Sequence, residues 1–282
     1  MPIDFFEAPD GIHVRQSFIS PTVYLDHWAL RLFSDNESLQ KRFVSALMSK
    51  GGTLLLSHLS FSEFAQAEDI SHCHDAEKFI EQLLPNIFLT DFALDKVLEQ
   101  ELAELNNQKR FWPSADLPQL KYFTERTQHT PMGFTMCGFI SMAHFHRDEL
   151  IQLNDSVVQP IIEAIDAARR IPAYVKKAKL IHPSDNRPRT KIILGELLRG
   201  FNLDNASSIA KNDVIELLHA AMTVNCCDYV LLDNTWVERV NKMKLRIDKS
   251  GINMPIAKCF SKRNNGIETF LADLEAFAPQ LA

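Results

Sequence analysis

The chain has 282 residues, 46% of them hydrophobic and 23% charged, the composition of an ordinary soluble globular protein with ample material for a buried core. No apolar run approaches bilayer-crossing length, and the opening MPIDFFEAPDG carries acids where a signal peptide carries a basic patch, so neither a spanning helix nor a signal peptide is expected, and a cytoplasmic location is. The net charge of −6 argues against a protein coated for constitutive nucleic-acid binding.

In chain order, Thr22-Val-Tyr-Leu25 reads as a short buried strand and 27–34 opens a helical pattern. Gly51-Gly52 marks a turn before a second strand, Thr53–Leu56, which leads into a helix starting near Ser60. An amphipathic helix is expected over 75–84, with Phe79, Leu83 and Leu84 on one side, and a third strand over Ile87–Leu89. Farther on, 213–224 is helical, Tyr229–Leu232 a strand, 235–246 a helix, Met254–Phe260 a last strand and 265–277 a last helix. Alternating strands and helices predict an α/β fold with a small parallel sheet flanked by helices. The middle, about 92–205, breaks the rhythm with helical stretches such as 94–107 and 155–170. It is read as a helical insertion with turns at Trp112-Pro113, His182-Pro183 and Arg187-Pro188.

Four acids occupy the same kind of place. Asp26 ends the first strand, Glu63 lies in the first turn of the helix after the second, Asp213 opens another helix, and Asp233 ends the strand DYVLL. Each could be only a helix cap: Asp26 and Asp233 suit an N-cap, Ser60 and Glu63 have capping-box spacing, and Asp213 follows Asn212 at the favourable end of a helix dipole. Together they suggest more. The carboxyl ends of parallel strands share one edge, which is where open α/β sheets build their sites. Carboxylates gathered there repel unless a cation neutralises them, and hard oxygen ligands suit Mg²⁺ or Mn²⁺. A typical use of such a site is phosphodiester hydrolysis.

The pattern resembles the PIN-like nuclease superfamily, with Asp26, Glu63, Asp213 and Asp233 at the positions of its acids. The most specific stretch is DVIELLHAAMTVNCCDYVLLD, whose small Ala220 and Ala221 let a helix approach the sheet. The resemblance covers about 1–92 and 205–282 and implies one PIN-like domain interrupted by the 92–205 insertion. It further implies a Mg²⁺- or Mn²⁺-dependent endoribonuclease with those four acids as metal and catalytic residues. The implied partner is single-stranded RNA, and an antitoxin-like protein partner is compatible with the resemblance. The sequence departs from the family where His27 follows the first Asp and Leu232 precedes Asp233, positions often held by small hydroxyl residues. Asp228 is an alternative fourth acid but precedes its strand. The rival readings are a non-catalytic PIN-like RNA-binding or scaffold module, and a hydrolase of small phosphate esters.

Two segments are basic. Residues 169–199 hold Arg169, Arg170, Lys176, Lys177, Lys179, Arg187, Arg189, Lys191 and Arg199, and 239–263 is similarly rich; either could track a phosphate backbone or be a solvated surface. Lys109–Trp112 could stack a base, and Arg126 with His129 could contact phosphate, although packing and surface roles are the expected ones. The pairs His72/His74 and His144/His146 have a spacing that no helical face shares, and His219 is expected to turn away from Asp213. Cys73, Cys137, Cys226, Cys227 and Cys259 lack zinc spacing and read as reduced thiols.

Overall fold

A computed structural model of the chain describes residues 3–9, 11–90, 94–104, 113, 115–116, 118–122, 125, 135–179, 187–203 and 208–278. Its centre is a parallel sheet built, among the described residues, from β3 (Thr22–Leu25), β4 (Thr53–Ser57), β5 (Ile87–Thr90), β6 (Tyr229–Leu231) and β7 (Lys258–Phe260). The order across the sheet is β5-β4-β3-β6-β7, with every pairing parallel. The strands TVYL, TLLLS and IFLT are buried throughout, as near-continuous apolar runs must be when helices cover both faces. Side chains alternate between two cores. Val23, Leu25, Leu54, Leu56, Ile87 and Leu89 enter one, and Tyr24, Leu55, Phe88, Val230 and Leu232 the other.

Parallel neighbours require crossovers, and here these are helices. Between β3 and β4 run α1 (His27–Asp35) and α2 (Glu37–Ser49), and between β4 and β5 run α3 (His58–Ala65) and α4 (Ser71–Glu81). From β5 the chain passes through α5 (Leu94–Glu104), α6 (Phe139–Phe145), α7 (Arg147–Arg169), α8 (Pro172–Ala178), α9 (Arg189–Leu203) and α10 (Lys211–Cys226) before reaching β6. Helix α11 (Asn234–Lys249) joins β6 to β7, and α12 (Gly266–Ala276) follows. The strand sequence thus grows outward from β3 in one direction, then restarts on β3's other side with β6. That reversal leaves a crevice at the carboxyl ends of β3 and β6.

Several boundaries differ from expectation. The first residues form an antiparallel hairpin, β1 (Ile3–Ala8) with β2 (Gly11–Gln16), which sequence reading did not foresee. The last strand shrinks to three residues, because Met254–Ala257 runs irregularly beneath α10 with Ala257 N donating to Val224 O. Helix α3 begins at His58, with the Ser57 side chain accepting from Ser60 N, so Ser60 is not its cap. The turn at Gly51 stands, with φ of 63°, and at Gly52 a Cβ would lie 2.5 Å from Pro21 O.

The central helices are joined to the sheet through shared core. Val97, Val158, Ile165, Ile192, Ile193, Leu197 and Phe201 pack in the same cluster as Val230 and Leu232. A buried polar network adds to this. The Arg189 guanidinium, 1% exposed, donates to the Asn225 side chain and to Pro255 O, while Thr190 N donates to Glu101 and Asn225 Nδ2 donates to Thr190 Oγ1. Groups on α5, α9, α10 and the segment before β7 thereby satisfy one another. The predicted turn at His182-Pro183, together with Lys109–Trp112, Arg126 and His129, lies outside the described residues.

Candidate metal centre

Asp26 closes β3 and caps α1: its Oδ1 accepts from His27 N at 2.9 Å, and its own N–H donates to Leu231 O of β6. The carboxylate is therefore fixed at the crevice and only 2% exposed. Asp233 follows β6 at the N-cap position of α11, yet its side chain makes no capping bond. Glu63 lies in the second turn of α3, beyond the reach of the orphan amides that a capping box would use. Its Oε2 is buried without a hydrogen-bond partner.

Asp213 does not join them. Its Oδ2 accepts from Ala210 N at 3.0 Å in the first turn of α10, and among the described residues it belongs to neither acidic group at the crevice. Glu216, one turn deeper, takes the place expected of Asp213: Asp26, Glu216 and Asp233 each bring an oxygen within 4.8 Å of the others. Glu216 is 7% exposed, and its Oε2 has no hydrogen-bond partner. His219, expected to turn away from Asp213, faces two other acids. It is fully buried, with Nδ1 3.7 Å from Asp26 Oδ1 and 3.9 Å from Glu63 Oε2, so Asp26, Glu63 and His219 form a second group sharing Asp26. The signal was present as E-L-L-H: residues three apart share a helix face, so Glu216 and His219 had to point the same way. Helix α10 is buried from Glu216 through Cys226, and Ala220 and Ala221 let it lie close to the sheet.

The electrostatics follow from crowding. Burial first, then Asp26, with Glu63 and Asp233 adding to it against the opposing pull of His219, pushes Glu216 up to about 8. Burial likewise raises Glu63 to about 7, with His219 opposing and Asp26 and Asp233 assisting. His219 is pulled down by burial, but Glu63, Asp26 and Glu216 outweigh that and raise it to about 8. Asp233 is raised by burial and by Asp26, against Lys262. Two like charges 4–5 Å apart repel by about 3–4 kcal/mol at an effective dielectric near 20, so four carboxylates cannot all ionise here without a cation. The donor set fits a divalent ion: one group offers three carboxylates, the other two carboxylates and an imidazole.

The other candidates sort into structural roles. Asp228 Oδ2 accepts from Thr22 N at 2.7 Å and Thr22 Oγ1 at 2.9 Å, tying β3 to β6 at their amino ends, across the sheet from the crevice. His27 packs edge-on to Phe64, its pKa lowered chiefly by burial, and Leu232 is core. His72 meets Arg31, His144 bonds Ala65 O, and His74 and His146 face Glu77 and Glu149. Of the basic segment, Arg189 is buried, Arg169 bonds Phe201 O, and Arg199 bonds Lys179 O; Lys176, Lys177 and Lys179 are exposed. Lys262, after β7, lies over the Trp28 ring and is the cation that acts on Asp233.

No family model matches the chain, and neither a curated protein nor a solved structure matches it.

Proposed function

We propose that the protein is a PIN-like, divalent-metal-dependent endoribonuclease, with the helices of 92–205 as an insertion in that fold. The observation that carries this reading is the convergence of Asp26, Glu63, Glu216 and Asp233 at the crevice between β3 and β6, with buried oxygens of Glu63 and Glu216 lacking partners. Buried carboxylate oxygens without donors are costly unless a cation meets them. In this reading Glu216 replaces Asp213 as the third ligand, and Asp213 is a cap.

A bound Mg²⁺ or Mn²⁺ supplies Lewis-acid stabilisation of phosphoryl oxygens and lowers the pKa of water for attack on phosphorus. The chain's own residues hold and orient. Asp26, fixed by its bond from His27 N, is shared by both groups and sets the centre. Asp233, the exposed member of its group, stands where a phosphodiester would arrive. Lys262 beside it offsets the acidic field that would repel the next phosphate. Single-stranded RNA is the substrate in this reading.

The test is cleavage of labelled single-stranded RNA by purified protein with Mg²⁺, with Mn²⁺ and with EDTA. Metal-dependent cutting that Glu216→Gln abolishes and Asp213→Asn retains is the expected result. One observation favours a second reading, a non-catalytic module: His219 places an imidazole beside Asp26 and Glu63 that, protonated, would act as a built-in cation. That reading expects no cutting with either ion and no metal-dependent rise in melting temperature.

A further inference from the structure

The two groups that share Asp26 differ in chemistry. The outer one, Asp26 with Glu216 and Asp233, offers only oxygen; the inner one, Asp26 with Glu63 and His219, adds an imidazole nitrogen. Building on the metal-centre reading above, we infer that the inner position selects a first-row transition ion, Mn²⁺ or a later member of the series, over Mg²⁺.

The geometry supports this. Ligands about 2.1 Å from one ion stand roughly 3.0–4.2 Å apart, depending on the angle between them. His219 Nδ1 lies 3.7 Å from Asp26 Oδ1 and 3.9 Å from Glu63 Oε2, inside that range. Its ring is fully buried at the inner end of the crevice, edge-on to Tyr24 at 5.7 Å, which holds its direction. Glu216 and His219 are three residues apart on α10, so one helix face gives an oxygen to the outer group and a nitrogen to the inner one. An independent observation points to a ligand here: Glu63 Oε2, an oxygen of the inner group itself, is buried without a hydrogen-bond partner. Mg²⁺ takes hard oxygen ligands in a near-ideal octahedron and keeps its waters, whereas imidazole suits transition ions, whose affinities rise along the series from Mn²⁺ to Cu²⁺. A dry imidazole at the inner position therefore penalises Mg²⁺ and rewards its competitors.

The experiment titrates EDTA-treated full-length protein with MnCl₂ and with MgCl₂ by calorimetry at neutral pH, and records the pulsed EPR echo of bound Mn²⁺. Expected are Mn²⁺ binding about 10- to 100-fold tighter than Mg²⁺ and a ¹⁴N coupling from a directly bound imidazole. In His219→Asn the coupling disappears and Mn²⁺ weakens by about tenfold or more, while Mg²⁺ affinity stays within a factor of about three. His27→Gln keeps the coupling. Should His219→Asn fail to fold, the wild-type protein and His27→Gln decide: coupling and selectivity in both support the inference, and absence of either overturns it. Equal affinity for the two ions overturns the selectivity while leaving the metal centre standing. Binding of neither ion overturns the metal centre itself.

Discussion

One helical turn separates Asp213 from Glu216, and the two carboxylates should fail differently. Asp213→Ala removes a cap on α10 and should cost about 1 kcal/mol, read as a lower midpoint in urea, with RNA cleavage kept. Glu216→Gln removes a ligand from a self-repelling group; it should abolish metal-dependent cleavage and raise the metal-free melting temperature by roughly 2–4 °C, the equivalent of about 1 kcal/mol in a chain of this size. The same crowding gives a pH dependence with a definite sign. Glu63 and Glu216 hold protons in the folded state up to about 7 and about 8 that the unfolded chain releases near 4.5, and His219 holds one up to about 8 against 6.5. All three folded values are raised, so their stabilisation is complete below the unfolded values and lost as pH climbs through the folded ones. Metal-free protein should therefore lose melting temperature between about pH 5 and pH 8, and excess Mn²⁺ should flatten the slope. A flat metal-free profile would mean that the acids are solvated. Asp26 and Asp233 were legible in the sequence because a strand end followed by a helix start fixes where a residue lies. Glu216 and His219 were not, because an acid in mid-helix has no punctuation and Asp213 offered a plausible cap instead.

At the scale of elements, the strands were readable because continuous apolar runs between turns allow few other structures, and β3, β4, β5 and β6 stand within a residue of expectation. The hairpin of β1 and β2 is not legible, since adjacent aromatics break the alternation in IDFFEA and leave GIHVRQ without an evident partner. The role of charge is the least legible. A run of Lys and Arg looks alike whether its members face water or carbonyls, and Arg169, Arg189 and Arg199 turned out to bond backbone or buried side chains. Arg189→Leu should thus cost several kcal/mol, about 3–5, by leaving Asn225 and Pro255 O without their donor, although no phosphate contact is lost. On the proposed function, the cation best placed to meet RNA is Lys262 after β7, which acts on Asp233. Lys262→Ala should weaken binding and reduce the salt slope more than changing Lys176, Lys177 and Lys179 together, measured by fluorescence anisotropy across a salt series. The reverse ranking would put the RNA path along α8.

For the whole molecule, the central helices share a core with β6 and bridge to α10 through the Arg189 network, so calorimetry should show one unfolding transition rather than two. Two resolved transitions would mean that the central helices melt on their own. The clamp between Thr22 and Asp228 has a further consequence, for synthesis. The two residues are 206 positions apart, and the strands they begin carry Asp26 and Asp233 at their far ends. Until residues 229–231 have been made, Asp26 has no β6 beside it, and Glu216, His219 and Asp233 all lie on α10 or later. A prematurely terminated product ending before residue 211 carries two of the acids and neither cation position. Any activity the centre has is therefore withheld from every chain that stops short of α10 and β6, however well its amino-terminal half folds.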